Sequence, residues 1–325
     1  MERDVSDKVL SDVHVFTPHE TLPDTDESVN TVTRFNFSLP PDVKRELSPG
    51  ISSEKNTSNP DDDGELLFDE DGDVVVTRKP VTENKLVITI EHMMETKLDD
   101  VGLQVWQGCL LLCDFVLHLH TKFKASRVVD LGAGVGLTSI VAGLFAESVL
   151  VTDVGEMILR TSESNIALNK PLLGEDCSFL VKELNWLKFC GPKDSYSDAR
   201  SSRFQMTEDD HTLLDGVSLI LAAEVIYDPD LTDAFFSTVK QLMSRPPAKT
   251  LYMTLEKRLV FTLADLDVVS PAYEHFQEKM EELLALSLDG VTFHCCQVPC
   301  DFPQYFTYDR HKHLELWQIT SSLSD

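Results

Sequence analysis

Apolar positions along this chain recur at two spacings, and the two take turns. Short aliphatic runs at 127–131, 148–152, 178–183, 217–222, 249–255, 291–298 and 313–319 read as strands. Between them, near 137–146, 155–169, 229–244 and 271–288, apolar residues return every three or four positions, the spacing of one helix face. Ahead of these, Leu86 to Glu91 reads as a strand. Leu98 to His118 reads as a helix, with Val101, Val105, Leu112, Phe115 and Val116 among its apolar positions. Strands alternating with helices predict a parallel sheet covered on both faces. The last two strands follow one another like a hairpin, which sets an antiparallel strand into the sheet. The expected fold is therefore α/β and Rossmann-like, with seven strands and helices on both faces. Lys188 to Asp215 is polar and irregular, and is expected to be an insertion loop.

The first 80 or so residues break this rhythm. They are rich in Ser, Thr, Pro, Asp and Glu. Such a stretch buries too little surface to offset its ordering entropy. The chain divides on this reading into an acidic, largely disordered segment, 1–84, and a folded domain, 85–325. Removing the segment should leave the domain folded. One patch, Val9 to Phe16, alternates and can dock on the body. From Asn59 to Glu70 oxygen-bearing residues fall at the first, third and fifth places, with Gly64 sixth and Glu70 twelfth, close to a calcium loop. Pro60 and the lack of flanking amphipathic helices favour a solvated acidic linker instead.

Charge narrows the partners. The 55 acidic residues against 28 basic ones leave a formal charge of −27. Direct binding to nucleic-acid phosphates needs a basic face, so none is expected. An acidic surface suits a basic protein partner. The seven cysteines have no paired spacing. No leader and no apolar run of about 18 residues stand out. These features point to a reducing compartment, nucleus or cytoplasm, and to no membrane. His294, Cys295, Cys296 and Cys300 sit on a predicted strand, with His294 and Cys296 on one side and Cys295 on the other. That spacing matches no usual zinc site, so buried strand cysteines and no metal are expected.

The candidate chemistry starts at V-V-D-L-G-A-G-V-G-L, Val128 to Leu137. A strand runs straight into Gly132, Gly134 and Gly136, and a helix follows at once. Glycines there let the backbone approach a ligand closely. The next strand ends in Asp153, about 20 residues on, where a carboxylate can accept from ribose hydroxyls. This pattern predicts a nucleoside-containing cofactor. The dinucleotide fingerprint would place its third glycine at position 137, which is Leu137. Asp130, two places before the first glycine, would repel a pyrophosphate. It suits the cationic amino-acid end of S-adenosylmethionine.

Further pieces follow in order: V-W-Q-G-C-L (Val105 to Leu110), T-D-V-G, N-I-A-L-N (Asn165 to Asn169), K-E-L-N-W (Lys182 to Trp186) and A-A-E-V-I-Y-D (Ala222 to Asp228). Together they resemble the seven-strand protein-lysine methyltransferases of the methyltransferase-like 21 and 22 group, over roughly residues 85 to 320. The resemblance implies a class I methyltransferase sheet and S-adenosyl-L-methionine as cofactor. It implies a substrate protein that presents a lysine, non-histone and chaperone- or nucleic-acid-associated, and a monomeric enzyme. Residue type leaves Trp106 and Trp186 open between core and cofactor contacts. The resemblance places Trp106 at the cofactor; Ala222 is expected there too, and Trp186, after the third parallel strand, can stack beside the adenine or lid the core. The resemblance also puts Asn185 where similar enzymes carry an Asp that accepts from the adenine amino group. Asn keeps the acceptor and loses the charge.

Glu224 and Tyr227 close the fourth strand and face the transferred methyl on this reading. A lysine attacks only as the neutral amine, so an aromatic wall that desolvates it lowers its pKa. Glu224 can orient that amine, and Tyr227 can flank it. Glu256, Lys257 and Arg258, at the next strand end, read as surface ion pairs. Two rivals remain: a small-molecule or nucleic-acid methyltransferase of the same fold, and a binding module without catalysis. Ala222 to Asp228 lacks the prolines of an adenine-methylating motif, and the intact glycines, Asp153 and Glu224 weigh against the binding module.

Overall fold

The computed structural model describes residues 8–11, 13, 19–21, 31–43, 85–173, 177–189, 202–262, 267–286 and 290–323. The calcium-like run Asn59 to Glu70 lies outside them. In chain order the strands are β1 (Lys8–Leu10), β2 (His19–Thr21), β3 (Thr31–Ser38), β4 (Lys85–His92), β5 (Glu95–Lys97), β6 (Arg127–Leu131), β7 (Ser148–Asp153), β8 (Ser178–Glu183), β9 (Leu219–Ala223), β10 (Thr250–Glu256), β11 (Val260–Thr262), β12 (Asp267–Val269), β13 (Val291–Val298) and β14 (Leu314–Leu323). The helices are α1 (Gln107–His118), α2 (His120–Phe123), α3 (Leu137–Ala142), α4 (Glu156–Leu168), α5 (Lys170–Leu173), α6 (Glu208–Asp215), α7 (Pro229–Met243) and α8 (Pro271–Leu284).

Seven strands form the central sheet in the order β13-β14-β10-β9-β6-β7-β8. The five strands from β10 to β8 pair in parallel, and β14 runs antiparallel to both β10 and β13. The hairpin-like ending thus supplies the antiparallel strand that the sequence predicts. β6 and β9 lie at the centre and are buried on both faces, which is why they read as unbroken aliphatic runs. Alternate residues feed two cores. Val128, Leu219 and Leu221 join α1 and α3 on one face. Val129, Ile220 and Ala222 join α7 and α8 on the other.

Part of the stretch expected to be unstructured belongs to this body. β3 pairs antiparallel with β4 from Thr31↔His92 to Ser38↔Lys85, and β2 pairs with β3. Phe35 and Phe37 sink into the core that holds α1, and Phe37 stacks on Phe306 at 5.0 Å. The N-I-A-L-N piece explains how this ribbon is fastened. Asn165 on α4 and Asn169, the residue that caps its C-terminus, imitate a neighbouring strand for β4. Asn169 accepts from Thr89 N–H (2.9 Å) and donates to Thr89 O (2.7 Å). Asn165 does the same with Glu91, at 2.7 and 2.9 Å. β1 pairs with β5, as expected of the Val9 patch, and Gln104 ties the two together by accepting from Ser11 N–H and donating to Val9 O.

Three local expectations are corrected. Leu98 to His118 is not one helix. A 3-10 turn over Leu98–Leu103 gives way to extended backbone at Gln104 and Trp106 before α1 begins. Gln104 spends its side chain on β1 and β5, so helix geometry yields to those tertiary bonds. The stretch is nonetheless long and apolar enough by composition to cross a membrane, with 72% of its most apolar window buried inside the protein. Second, the polar insertion contains α6, started by a capping box. Thr207 accepts from Asp210 N–H, and Asp210 accepts from Thr207 N–H and pairs with Lys182 at 2.7 Å. Third, Cys296 is exposed on the outer face of the edge strand β13, while Cys295 and Cys300 are half-buried.

Candidate active site

The strand order reverses between β6 and β9, and a pocket opens there at the carboxyl ends of the strands. Open α/β sheets bind ligands at this switch point because the loops diverge on either side of it. Asp130, Gly132, Gly134, Asp153, Asn185, Trp186, Trp106, Glu224 and Tyr227 all line this one pocket.

The glycine turn is built for close approach. Gly134 has φ 54°, and a Cβ on it would lie 2.7 Å from Gly102 O. Gly136 caps α3 in the left-handed region. Asp153 reaches back from β7 and accepts from Gly134 N–H and Val154 N–H, both at 2.7 Å. It therefore fixes the turn as well as lining the pocket. Burial raises its carboxyl to about 6. Asp130 is buried too. Its Oδ2 accepts from Ser139 at 2.6 Å, while Oδ1 has no partner among the described residues. Burial, helped by neighbouring Asp153, raises it to about 7.

The aromatic walls are set by different means. Trp106 donates to Val101 O at 3.2 Å, and the Arg258 guanidinium lies 4.8 Å over its ring. Trp186 packs edge-on against Phe235 at 5.2 Å, and its indole N–H is buried without a partner among the described residues. Asn185 accepts from Leu187 N–H at 3.0 Å, so its oxygen shapes the turn and has one lone pair left for a ligand. Burial and the nearby Asp153, Asp228 and Asp99 push the Tyr227 phenol up to about 12, so it stays protonated. Ala222 does not reach the pocket. It is fully buried in the α7/α8 core, and Ala223 lines the site instead, because successive strand residues face opposite ways.

Glu224 is a hub. It sits at φ 58°, a strained conformation for a residue with a side chain. Its Oε1 accepts from Gly108 N–H (3.0 Å) and its Oε2 from Glu256 N–H (3.2 Å). A Cβ on Gly108 would stand 2.3 Å from Oε1, so that glycine makes the room. Burial raises the carboxyl to about 7, against the opposing pull of Arg258. Glu256 and Arg258, read from sequence as surface pairs, thus frame the site. Other pocket residues were not assigned to the site from sequence: Gly102 and Val101 from the 3-10 turn, Ile158, Leu184, Val225 and Leu231. They are generic apolar or small residues that only the fold brings together. Gly108 did leave a trace, since glycine in a first helical turn is unfavourable without a reason.

These residues fit S-adenosylmethionine. Asp130 Oδ1 is an unpaired buried acceptor for a cation, the glycine turn has no Cβ to block the approach, and Asp153 flanks it. Ile158, Leu184 and Trp186 make an apolar slot suited to a base.

The fold and this pocket define a Rossmann-like methyltransferase. The sequence pattern of the lysine methyltransferase family matches residues 83–282, and the chain belongs to that family. It is 38% identical to methyltransferase-like protein 22 of Mus musculus over 311 residues, covering 93% of this chain and 78% of that one. It is 31% identical to the protein N-lysine methyltransferase METTL21A of Danio rerio over 144 residues, 44% of this chain and 56% of that one. Among solved structures it resembles magnesium protoporphyrin IX methyltransferase of Synechocystis PCC 6803 with a TM-score of 0.38 and 13% identity, covering 66% of this chain and 83% of that one. The chain is a protein-lysine methyltransferase, and its cofactor is S-adenosylmethionine.

The raised carboxyls set a pH dependence. Holding a cation requires Asp130 ionised, Asp153 accepts from ribose hydroxyls best as a carboxylate, and the two bind protons below about 7 and 6. Binding must therefore expel protons and tighten as pH rises. Between pH 6 and 7.5 the dissociation constant should fall roughly five- to tenfold, flattening as the cofactor's α-ammonium titrates near ~7.7–8. Calorimetry in buffers of different ionisation enthalpy should show net proton release near pH 6.5. Proton uptake, or affinity that weakens with pH, would contradict the assignment.

Proposed function

We propose that the chain methylates a lysine of a specific, non-histone protein with a basic surface, a chaperone or a nucleic-acid-associated protein, in the nucleus or cytoplasm, and that it acts as a monomer. The observation that carries the reading is Glu224 beside Tyr227 in the cofactor pocket, a buried carboxylate and a protonated phenol facing one space. S-adenosylmethionine, when bound, would supply an electrophilic methyl group for the amine, with its sulfonium sulfur as the leaving group. The Trp106 and Tyr227 walls favour the neutral amine that carries the needed lone pair. Glu224 accepts a hydrogen bond from that amine and points its lone pair at the methyl. Positioning then lowers the barrier. The net charge of −27 and the acidic groups Asp99 and Asp228 near Tyr227 support a basic partner.

Glu224→Gln tests the role. Both backbone groups that Glu224 engages in the fold are N–H donors, so a glutamine can satisfy only one of them. The variant should lose about 1–3 kcal/mol of stability and remain folded. S-adenosylmethionine should still bind within about threefold of wild type, while methyl transfer falls on the order of 100-fold or more. The assay supplies labelled S-adenosylmethionine and an extract of cells lacking the enzyme, read by mass spectrometry of labelled proteins. Retained turnover sinks the role of Glu224. Label on nucleic acid or metabolites alone sinks the substrate class.

A further inference from the structure

Arg258 stands just past β10, at the foot of the ribbon made by β11 and β12. Its carbonyl accepts from Ser270 Oγ at 2.8 Å, which fixes its backbone. Its guanidinium faces three groups at once. It lies 4.8 Å over the Trp106 ring, its Nη2 is 4.0 Å from Glu224 Oε2, and its Nε is 3.9 Å from Glu256 Oε2. The Glu224 side chain is 6% exposed and Arg258 44%, so the cation reaches the buried carboxylate from the wet side. A planar guanidinium suits the task, since it stacks on an indole and offers edge N–H groups in the same plane.

We propose that Arg258 is a positioning residue for methyl transfer: it clamps Trp106 and Glu224 into one unit and supplies, from outside the pocket, the positive charge that the buried carboxylate needs. The inference rests on the role of Glu224 proposed above. Glu224 is faced by few charges. From β10 Glu256 opposes its ionisation, itself paired with His311 at 3.4 Å. α1 contributes the neutral Gly108 N–H. Arg258 favours ionisation and is opposed by burial. Without the guanidinium, Glu224 holds its proton to higher pH. A protonated carboxyl that already meets two N–H groups is a poor acceptor for an amine. Trp106 would at the same time lose the group stacked on it.

The test uses the full chain with Arg258→Gln and Arg258→Lys, labelled S-adenosylmethionine and the same enzyme-free extract, from pH 6 to 9. Rates are read as the ratio of variant to wild type at each pH, so the substrate's own titration cancels. For Arg258→Gln the ratio should be about one-fifth or less at pH 7 and climb by pH 9 to a plateau below one, an acid limb moved up by roughly one pH unit on top of a constant loss from the unstacked Trp106. Arg258→Lys keeps the charge and should leave the limb in place. Calorimetric cofactor affinity should stay within about threefold in both. A ratio that is equally low at every pH, with no lysine rescue, would mark a merely structural arginine and overturn the proposal. So would an unshifted limb. Glu224→Gln in the same assay separates the layers. If it stays active, the reading of Glu224 fails. If it is dead while Arg258→Gln keeps its wild-type limb, only the clamp fails.

Discussion

Gly134→Arg is expected to abolish S-adenosylmethionine binding while leaving the protein folded. Two independent costs meet at this position. The backbone sits at φ 54°, which costs a side-chain-bearing residue about 1–2 kcal/mol. A Cβ would also stand 2.7 Å from Gly102 O, backbone that cannot swing aside as a side chain can. Forcing it apart costs a further ~1–3 kcal/mol by analogy with overpacked cores. Gly134→Ala should therefore lose about 2–5 kcal/mol of stability or displace the turn, and the arginine should in addition fill the space that the cofactor takes. Displacing the turn also disturbs Asp153, which accepts from Gly134 N–H. Calorimetric titration checks this directly. Near-wild-type affinity in Gly134→Arg would move the cofactor site elsewhere.

Why that glycine was legible, and its opposing wall was not, follows from how each is encoded. The turn lies within one βα unit, so strand, glycines and helix start appear as one string, and the aspartate arrives one strand later. Local sequence carries local geometry. The wall facing Gly134 comes from Gly102 in the 3-10 turn, a segment that reads as plain helix. Its break at Gln104 depends on bonds to Val9 and Ser11, some 90 residues away. Helical periodicity contains no record of those partners. Ala222 failed by one position, because pocket-facing phase at a strand end depends on a pleat that composition does not reveal. Glu224 was read as the carboxylate that orients the amine, but nothing local announced the two backbone N–H groups from distant elements that hold it. Arg258 was read as surface charge, which it is by exposure alone; its direction, toward Glu224 and Trp106, comes from the path of β10 and the ribbon after it.

The second large effect concerns β3. Thr31 to Ser38 went unread as structure because its inward set is Thr31, Thr33, Phe35 and Phe37, only half of it apolar, and polar sequence surrounds it. A strand of eight residues paired along its whole length with β4 is nevertheless part of the body's core. Phe37 is buried, stacks on Phe306 and shares a cluster with Leu110 and Leu111 of α1. Truncating such a phenylalanine costs about 3–5 kcal/mol. For a body of this size each kcal/mol lowers the melting midpoint by roughly 2–4 °C, so Phe37→Ala should lower it by about 6–20 °C. Deleting residues 1–43 removes both buried phenylalanines and unpairs one edge of β4, and should abolish the cooperative melt. Val87→Ala on β4 is the control, since Val87 is 41% exposed and its loss should change stability by less than about 0.5 kcal/mol. A deletion that melts like the full chain would return these residues to the status of a dispensable tail. The effect should extend to the active site as well. β4 is held to α4 through Asn165, which also donates to Val135 O beside the glycine turn. Loosening β3 and β4 therefore frees the far side of the turn that binds the cofactor, and Phe37→Ala should weaken S-adenosylmethionine binding at temperatures well below its melt.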